Sequence, residues 1–177
     1  QIIVSGNAFN PGPYTLNGNS SLFHALAVSG GPSPSGSFRK IELVRDNKII
    51  ETADLYETFI HGKSTFSTRL RSGDLIFIRP VINLVSISGA VKRPGTYELK
   101  EDENLSSAIL YANGINNRAD LSEISLIRLK DGLITKIAIN NPLKFETILS
   151  NDKDKIIVRN FPYRSGVIKG AGKNPGE

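Results

Sequence analysis

The sequence predicts an α+β protein made of two like modules in tandem, and three observations carry that expectation. Gly6, Pro11, Gly12, Tyr14 and Leu16 recur as Gly89, Pro94, Gly95, Tyr97 and Leu99 at one offset of 83 positions (89 − 6). Each copy then runs in the same order: an alternating apolar hairpin, a helix-spaced apolar stretch and further alternating strands. A third copy opens at Gly170, Pro175 and Gly176, 81 positions after the second (170 − 89). Recurrence at domain-sized spacing is the mark of a repeat array. The expected division is a first module over residues 1–80, a second over 84–160 and the start of a third over 167–177.

In the first copy, Ile2 to Phe9 and Tyr14 to Leu16 read as hairpin arms. Pro holds φ at about −65° and Gly accepts positive φ, so the Pro-Gly pairs are expected to centre a type II-like turn, with Lys92 and Arg93 at an exposed tip. Asn19 and Ser20 offer N-cap oxygens before Leu22, Phe23, Ala25, Leu26 and Val28, whose spacing is helical. Ser29-Gly30-Gly31-Pro32 ends that helix. Lys40 to Arg45 and Ile49 to Thr52 alternate as strands around an Asp46-Asn47-Lys48 turn, Ala53 to Ser72 is irregular and polar, and Leu75 to Ile78 closes the module.

The second copy repeats the order. Asp102 or Asn104 caps a helix whose buried face is Leu105, Ala108, Ile109 and Ala112, and Asn113-Gly114 ends it. Ile124 to Arg128 and Leu133 to Ile139 flank a Lys130-Asp131-Gly132 turn. Asp154 to Arg159 matches Asp74 to Arg79 at an offset of 80 (154 − 74), so the contraction falls in a loop. The linker Pro80 to Asn83 is too short for free tethering, so the modules should touch. A hairpin, a helix, then two or three strands around that helix is the order of a β-grasp, the ubiquitin-like α+β fold.

The pattern GxxxxPGxYxL, a short helix, Gly-Gly or Asn-Gly, then a strand carrying L-x-R resembles the SLBB domain, a soluble-ligand-binding β-grasp. Gly6 to Leu16 with Gly30-Gly31 and Leu43 to Arg45 carry it first, Gly89 to Leu99 with Asn113-Gly114 and Leu126 to Arg128 second. Arrays of such domains are similar to the periplasmic part of bacterial outer-membrane polysaccharide export proteins of the Wza-like and KpsD-like group. That resemblance implies a periplasmic place in a parent protein associated with the outer membrane, self-association with like subunits around an export path, and contact with an acidic polysaccharide and an inner-membrane export partner. Single repeats of this kind also occur in respiratory-complex flavoproteins, DNA-uptake proteins and cobalamin carriers. A soluble small-ligand or nucleic-acid-binding β-grasp module is therefore the alternative, with no nucleic acid expected on the export reading.

Composition bounds the rest. The chain has 177 residues, 39% of them apolar, and no apolar run near the roughly 18 needed to cross a bilayer as a helix. It starts on a strand-like segment and stops at Glu177 inside the third hairpin, as expected of a piece of a longer protein. With no Cys, disulfides, thiolate metal sites and a Cys nucleophile are excluded from these residues. A net charge of +5 suits an anionic partner, yet Lys and Arg are spread out. Arg69, Arg71 and Arg79 are the densest group, and no basic arm stands out.

Catalytic patterns are poor. His24 and His61 lie 37 positions apart (61 − 24) and neither sits in a metal-ligand spacing. Gly62-Lys63-Ser64-Thr65 imitates the end of a phosphate-binding loop, but Glu57 occupies the first glycine's place. Gly170-Ala171-Gly172 meets Pro175 where a dinucleotide-binding helix should run. No enzyme and no cofactor is expected, and binding is the role left. The candidate polymer or partner contacts are Lys92, Arg93, Arg69 and Arg71. The Ser29 to Phe38 loop and the Ala53 to Ser72 segment are the other candidate surface, with at least two of Tyr56, Phe59 and Phe66 expected in a core. With no Trp, and with Tyr14 and Tyr97 read as hairpin packing, protein–protein packing is expected rather than a tight saccharide pocket.

Overall fold

The computed structural model describes residues 1–64 and 66–162; the third hairpin, with Gly170, Pro175 and Gly176, lies outside the described residues. Two five-stranded mixed sheets carry the fold. The first has the order β2-β1-β5-β3-β4, from β1 (Ile2–Gly6), β2 (Gly12–Tyr14), β3 (Gly36–Arg45), β4 (Lys48–Ala53) and β5 (Leu75–Pro80). The second repeats it as β7-β6-β10-β8-β9, from β6 (Leu84–Gly89), β7 (Gly95–Glu98), β8 (Ala119–Lys130), β9 (Leu133–Ile139) and β10 (Lys155–Asn160). First and last strands lie parallel at the centre of each sheet, β1 on β5 and β6 on β10, with antiparallel pairs outside. One helix follows each hairpin, α1 (Leu22–Ser29) and α3 (Leu105–Tyr111), as a β-grasp requires.

The alternation in the strands buries one face under its helix. Val4, Leu22, Ala25, Ile41, Leu43, Ile76 and Ile78 form the first core. Their repeat counterparts Ile87, Leu105, Ala108, Ile124, Leu126, Ile156 and Val158 form the second. Two-residue turns join the outer strand pairs, and Asp46-Asn47 (φ 50° and 61°) and Asp131-Gly132 (φ 51° and 77°) take the left-handed values that such hairpins need.

Local details depart from the sequence reading in three places. Ser21, not Asn19 or Ser20, caps α1, and its N–H donates to His24 Nδ1 at 3.2 Å. His24 thus stands where a capping box normally has Glu or Gln. In the second module Asn104, one of the two expected caps, accepts from the N–H groups of Ser106 and Ser107. The stretch after Ala53 is not wholly irregular: α2 (Leu55–Phe59) forms behind Asp54, whose carboxylate accepts from the Tyr56 N–H at 2.9 Å.

The third departure is the hairpin turn itself. Gly12 pairs with Val4 and Gly95 with Ile87, so each glycine of the Pro-Gly pair opens the returning strand instead of centring a turn. The left-handed position belongs to Gly6 (φ 73°) and Gly89 (φ 87°), where a Cβ would overlap the carbonyl oxygens of Ile78 and Val158 on the neighbouring strand. The loop between is broad because it docks on the end of the helix. Phe9 and Asn10 donate to the carbonyls of Gly31 and Ser29, and Lys92 and Arg93 donate to those of Gly114 and Ala112. The acceptors are the last residue of α1, Ser29, and the capping segments just past each helix at Gly31, Ala112 and Gly114, so the loop is tied to the chain as it leaves the helix in both modules.

Candidate functional site

Polar residues in this chain fall into two sets. One recurs in both modules: Arg45 forks onto Asp74 at 2.7 and 2.8 Å, and Arg128 onto Asp154 at 2.9 and 2.7 Å. Each guanidinium also donates to a loop carbonyl, that of Arg69 or Leu149. The L-x-R motif is therefore scaffold, pinning the last loop to the sheet. Burial opposes ionisation of Asp74, but the Arg45 hydrogen bonds and the Arg71 N–H outweigh it and hold the carboxyl below the usual range.

The other set occurs once, where the modules meet. Arg39 of β3, only 6% exposed, sends Nε to Asp54 at 3.1 Å and Nη1 to Glu103 at 2.6 Å and to the Tyr111 hydroxyl at 3.1 Å. Its guanidinium lies over the rings of Tyr56 and Tyr111, 4.8 and 5.3 Å from their centroids, and those rings meet edge to face. Tyr111 donates to Glu103 at 2.6 Å, and Lys100 adds a second cation to Asp54 at 3.0 Å. Glu98 of β7 reaches back to the first module, accepting from Ser37 Oγ at 2.5 Å and the Phe38 N–H at 2.7 Å, while its own N–H donates to the Tyr56 hydroxyl. Burial disfavours the Arg39 charge, yet the hydrogen bond to Glu103 and the charges of Asp54 and Glu103 raise its pKa further. The same burial, with the Glu103 hydrogen bond, pushes the Tyr111 phenol up.

The sequence candidates are dispersed. Gly6, Gly12, Gly89 and Gly95, with exposed Pro11 and Pro94, shape the two docked loops. Arg69 and Arg71 are exposed beside the N-terminal end of α1, where Arg69 bridges to Ser21. Lys92 and Arg93 are exposed at the C-terminal end of α3 in the other module. Of the four, Arg93 borders an apolar groove between the modules, with Phe38, Tyr56, Phe59 and Tyr97. Tyr56 and Phe66 pack against the cores, as two of the three aromatics were expected to, and Phe59 is 67% exposed. Glu57 pairs with Lys63 at 3.0 Å, inside the stretch that imitates a phosphate loop.

Arg39, Asp54, Glu98, Glu103 and Tyr111 were not singled out in the sequence. A signal was present: at the 83-residue offset Arg39 matches Ser122, Glu103 matches Ser20 and Tyr111 matches Val28. At these positions the charge or phenol present in one copy alone lies on the surface that meets the other module.

This fold and this doubled scaffold define a tandem β-grasp binding-domain protein. The model of the SLBB domain matches residues 1–54 and 84–138, and the chain belongs to that family. It is 30% identical over 102 residues to the polysialic acid transport protein KpsD of Escherichia coli, covering 57% of this chain and 18% of that protein. It is 36% identical over 55 residues to ComE operon protein 1 of Bacillus subtilis, covering 30% of this chain and 27% of that protein. The chain thus matches well under a third of the length of either relative.

Proposed function

We propose that the chain is a non-catalytic assembly and binding module of an outer-membrane polysaccharide export protein, working in the periplasm. Its modules pack with like subunits around the export path, where an acidic polysaccharide and an inner-membrane export partner are the other contacts. The observation that carries this reading is the 102-residue similarity to KpsD, longer than the 83-residue repeat interval and so more than one module's worth of likeness. The buried junction supports it, since a fixed angle between modules suits assembly better than a flexible tether does. Replacing residues 1–162 in the parent protein by an unrelated rigid domain of similar size should abolish surface polysaccharide while leaving the parent protein at normal levels. Normal surface polysaccharide would refute the reading.

Binding of nucleic acid is the second reading, favoured by the net charge of +5. Titration with duplex DNA decides it: phosphate-dominated binding must weaken steeply as salt rises.

A further inference from the structure

The groove between the modules, about 460 Å³, lies between α2 and the start of β3 on one side and β7 on the other. Its walls are mainly carbon, with Phe38 and Ile60 each 42% exposed and Phe59 more so. Arg93 and Glu98 are the charged residues lining it. The Glu98 carboxylate is committed to Ser37 and Phe38, one oxygen to each. Arg93 is held by its backbone, whose N–H donates to Ala112 and whose carbonyl accepts from the Tyr97 hydroxyl at 2.6 Å. Its guanidinium has no acidic partner among the described residues, so the free charge of the groove is one cation beside aromatic faces.

We propose that this groove is a subsite for an acidic sugar unit. The weakly positive C–H face of a pyranose ring suits the negative faces of Phe38 and Tyr97. A sugar carboxylate suits the Arg93 fork, which offers two parallel N–H donors. A peptide strand added to edge strand β7 would forgo the Glu98 N–H, already bonded to Tyr56, which favours a sugar over an acidic peptide. The groove is lined from both described modules, so neither module carries the subsite alone. The inference deepens the export reading by assigning contact with the acidic polymer to one groove and its residues, and rests on that reading for its biological sense.

Amide NMR of the 177-residue chain tests it, with trigalacturonic acid, maltotriose and a poly-glutamate peptide as probes. The acidic trimer should shift the Phe38, Thr96 and Tyr97 amides, and the neutral trimer should bind more weakly. Arg93→Ala should weaken the acidic trimer about tenfold, the loss expected for one charge-assisted pair. Lys155→Ala, exposed on the same module but outside the groove lining, should leave affinity unchanged. Equal losses in the two variants, equal binding of maltotriose, or equally strong shifts of the same amides by poly-glutamate would each overturn the proposal. A groove silent to the acidic trimer, in a parent whose export needs these modules, sinks the inference alone. A groove that binds, in a parent whose export ignores the modules, sinks the export reading and leaves the subsite standing.

Discussion

Arg39 and Glu103 meet at 2.6 Å across the junction, although 64 positions separate them in the chain. The contact places a guanidinium that is 3% exposed between two carboxylates and two phenol rings. A charge so deeply buried is tolerated only because each face of it is satisfied. The relative placement of the modules therefore rests on a side chain that neither module needs for its own core, together with the Glu98 and Lys100 links beside it.

Arg39→Ala should cost about 3–5 kcal/mol, because Asp54 and Glu103 are left buried beside a vacated space. Both cores stay whole, so the loss should fall on the coupling between modules. Chemical denaturation followed by tryptophan-free probes such as far-UV CD and tyrosine fluorescence should show one transition in the parent chain and two in the variant. Arg39→Lys should recover little, since an ammonium cannot reach Asp54 and Glu103 with separate nitrogens. A single transition of unchanged midpoint in Arg39→Ala would refute this role.

Gly89→Ala should destabilise the second module by more than 1 kcal/mol, roughly the cost of a left-handed alanine alone, with the overlap at the Val158 carbonyl added. Gly95→Ala should be near neutral, because Gly95 sits in a strand with its nearest would-be neighbours on the Tyr97 ring at 3.8 Å. Thermal melts of the two variants decide between the docked loop seen here and a turn centred on Pro94-Gly95, which would reverse their order.

The contrast shows which parts of the fold could be read from sequence. The element order, the helix faces and the Asp131-Gly132 turn follow from short-range periodicity and turn chemistry, and the second copy repeats each signal. At Pro94-Gly95 the local turn preference is outvoted by tertiary bonds, those from the Lys92 and Arg93 N–H groups to the chain just past α3 at Gly114 and Ala112. Arg39, Glu103 and Tyr111 carry no repeat signal, because they are where the copies differ. The apolar groove was equally hidden, since Phe38 and Tyr97 come from different modules and share no local pattern.

Asp74 gives the chain an acid limit. Its side chain is fully buried and its pKa is depressed, so the stabilisation is complete above the ordinary carboxylate value of about 4 and disappears as pH falls through the lower folded value. Asp74→Asn should cost about 1.5–3 kcal/mol at neutral pH, the scale of charged hydrogen bonds. The gap between variant and parent should close below about pH 4. Urea unfolding at several pH values measures it, and a gap independent of pH would show that the charge is not what holds Arg45.

At the alkaline end the junction should fail through its phenols. Tyr56, Tyr97 and Tyr111 all have raised pKa values, chiefly from burial, with the Glu103 hydrogen bond adding to it at Tyr111. A raised phenol stabilises the fold fully below its unfolded pKa of about 10, and that contribution is lost as pH climbs from there through the folded value. Arg39 keeps its charge throughout, so the change comes from the rings. Phenolate absorbance should show these three tyrosines ionising late, in a steep step that coincides with loss of module coupling. Tyr111→Phe removes the donor to Glu103 and the acceptor for Arg39, and should cost about 0.5–1.5 kcal/mol at neutral pH while taking one phenolate out of the late step. Simultaneous titration of all the tyrosines in the ordinary range, with the fold intact, would mean that the junction is open in solution and that Arg39 does not hold it shut.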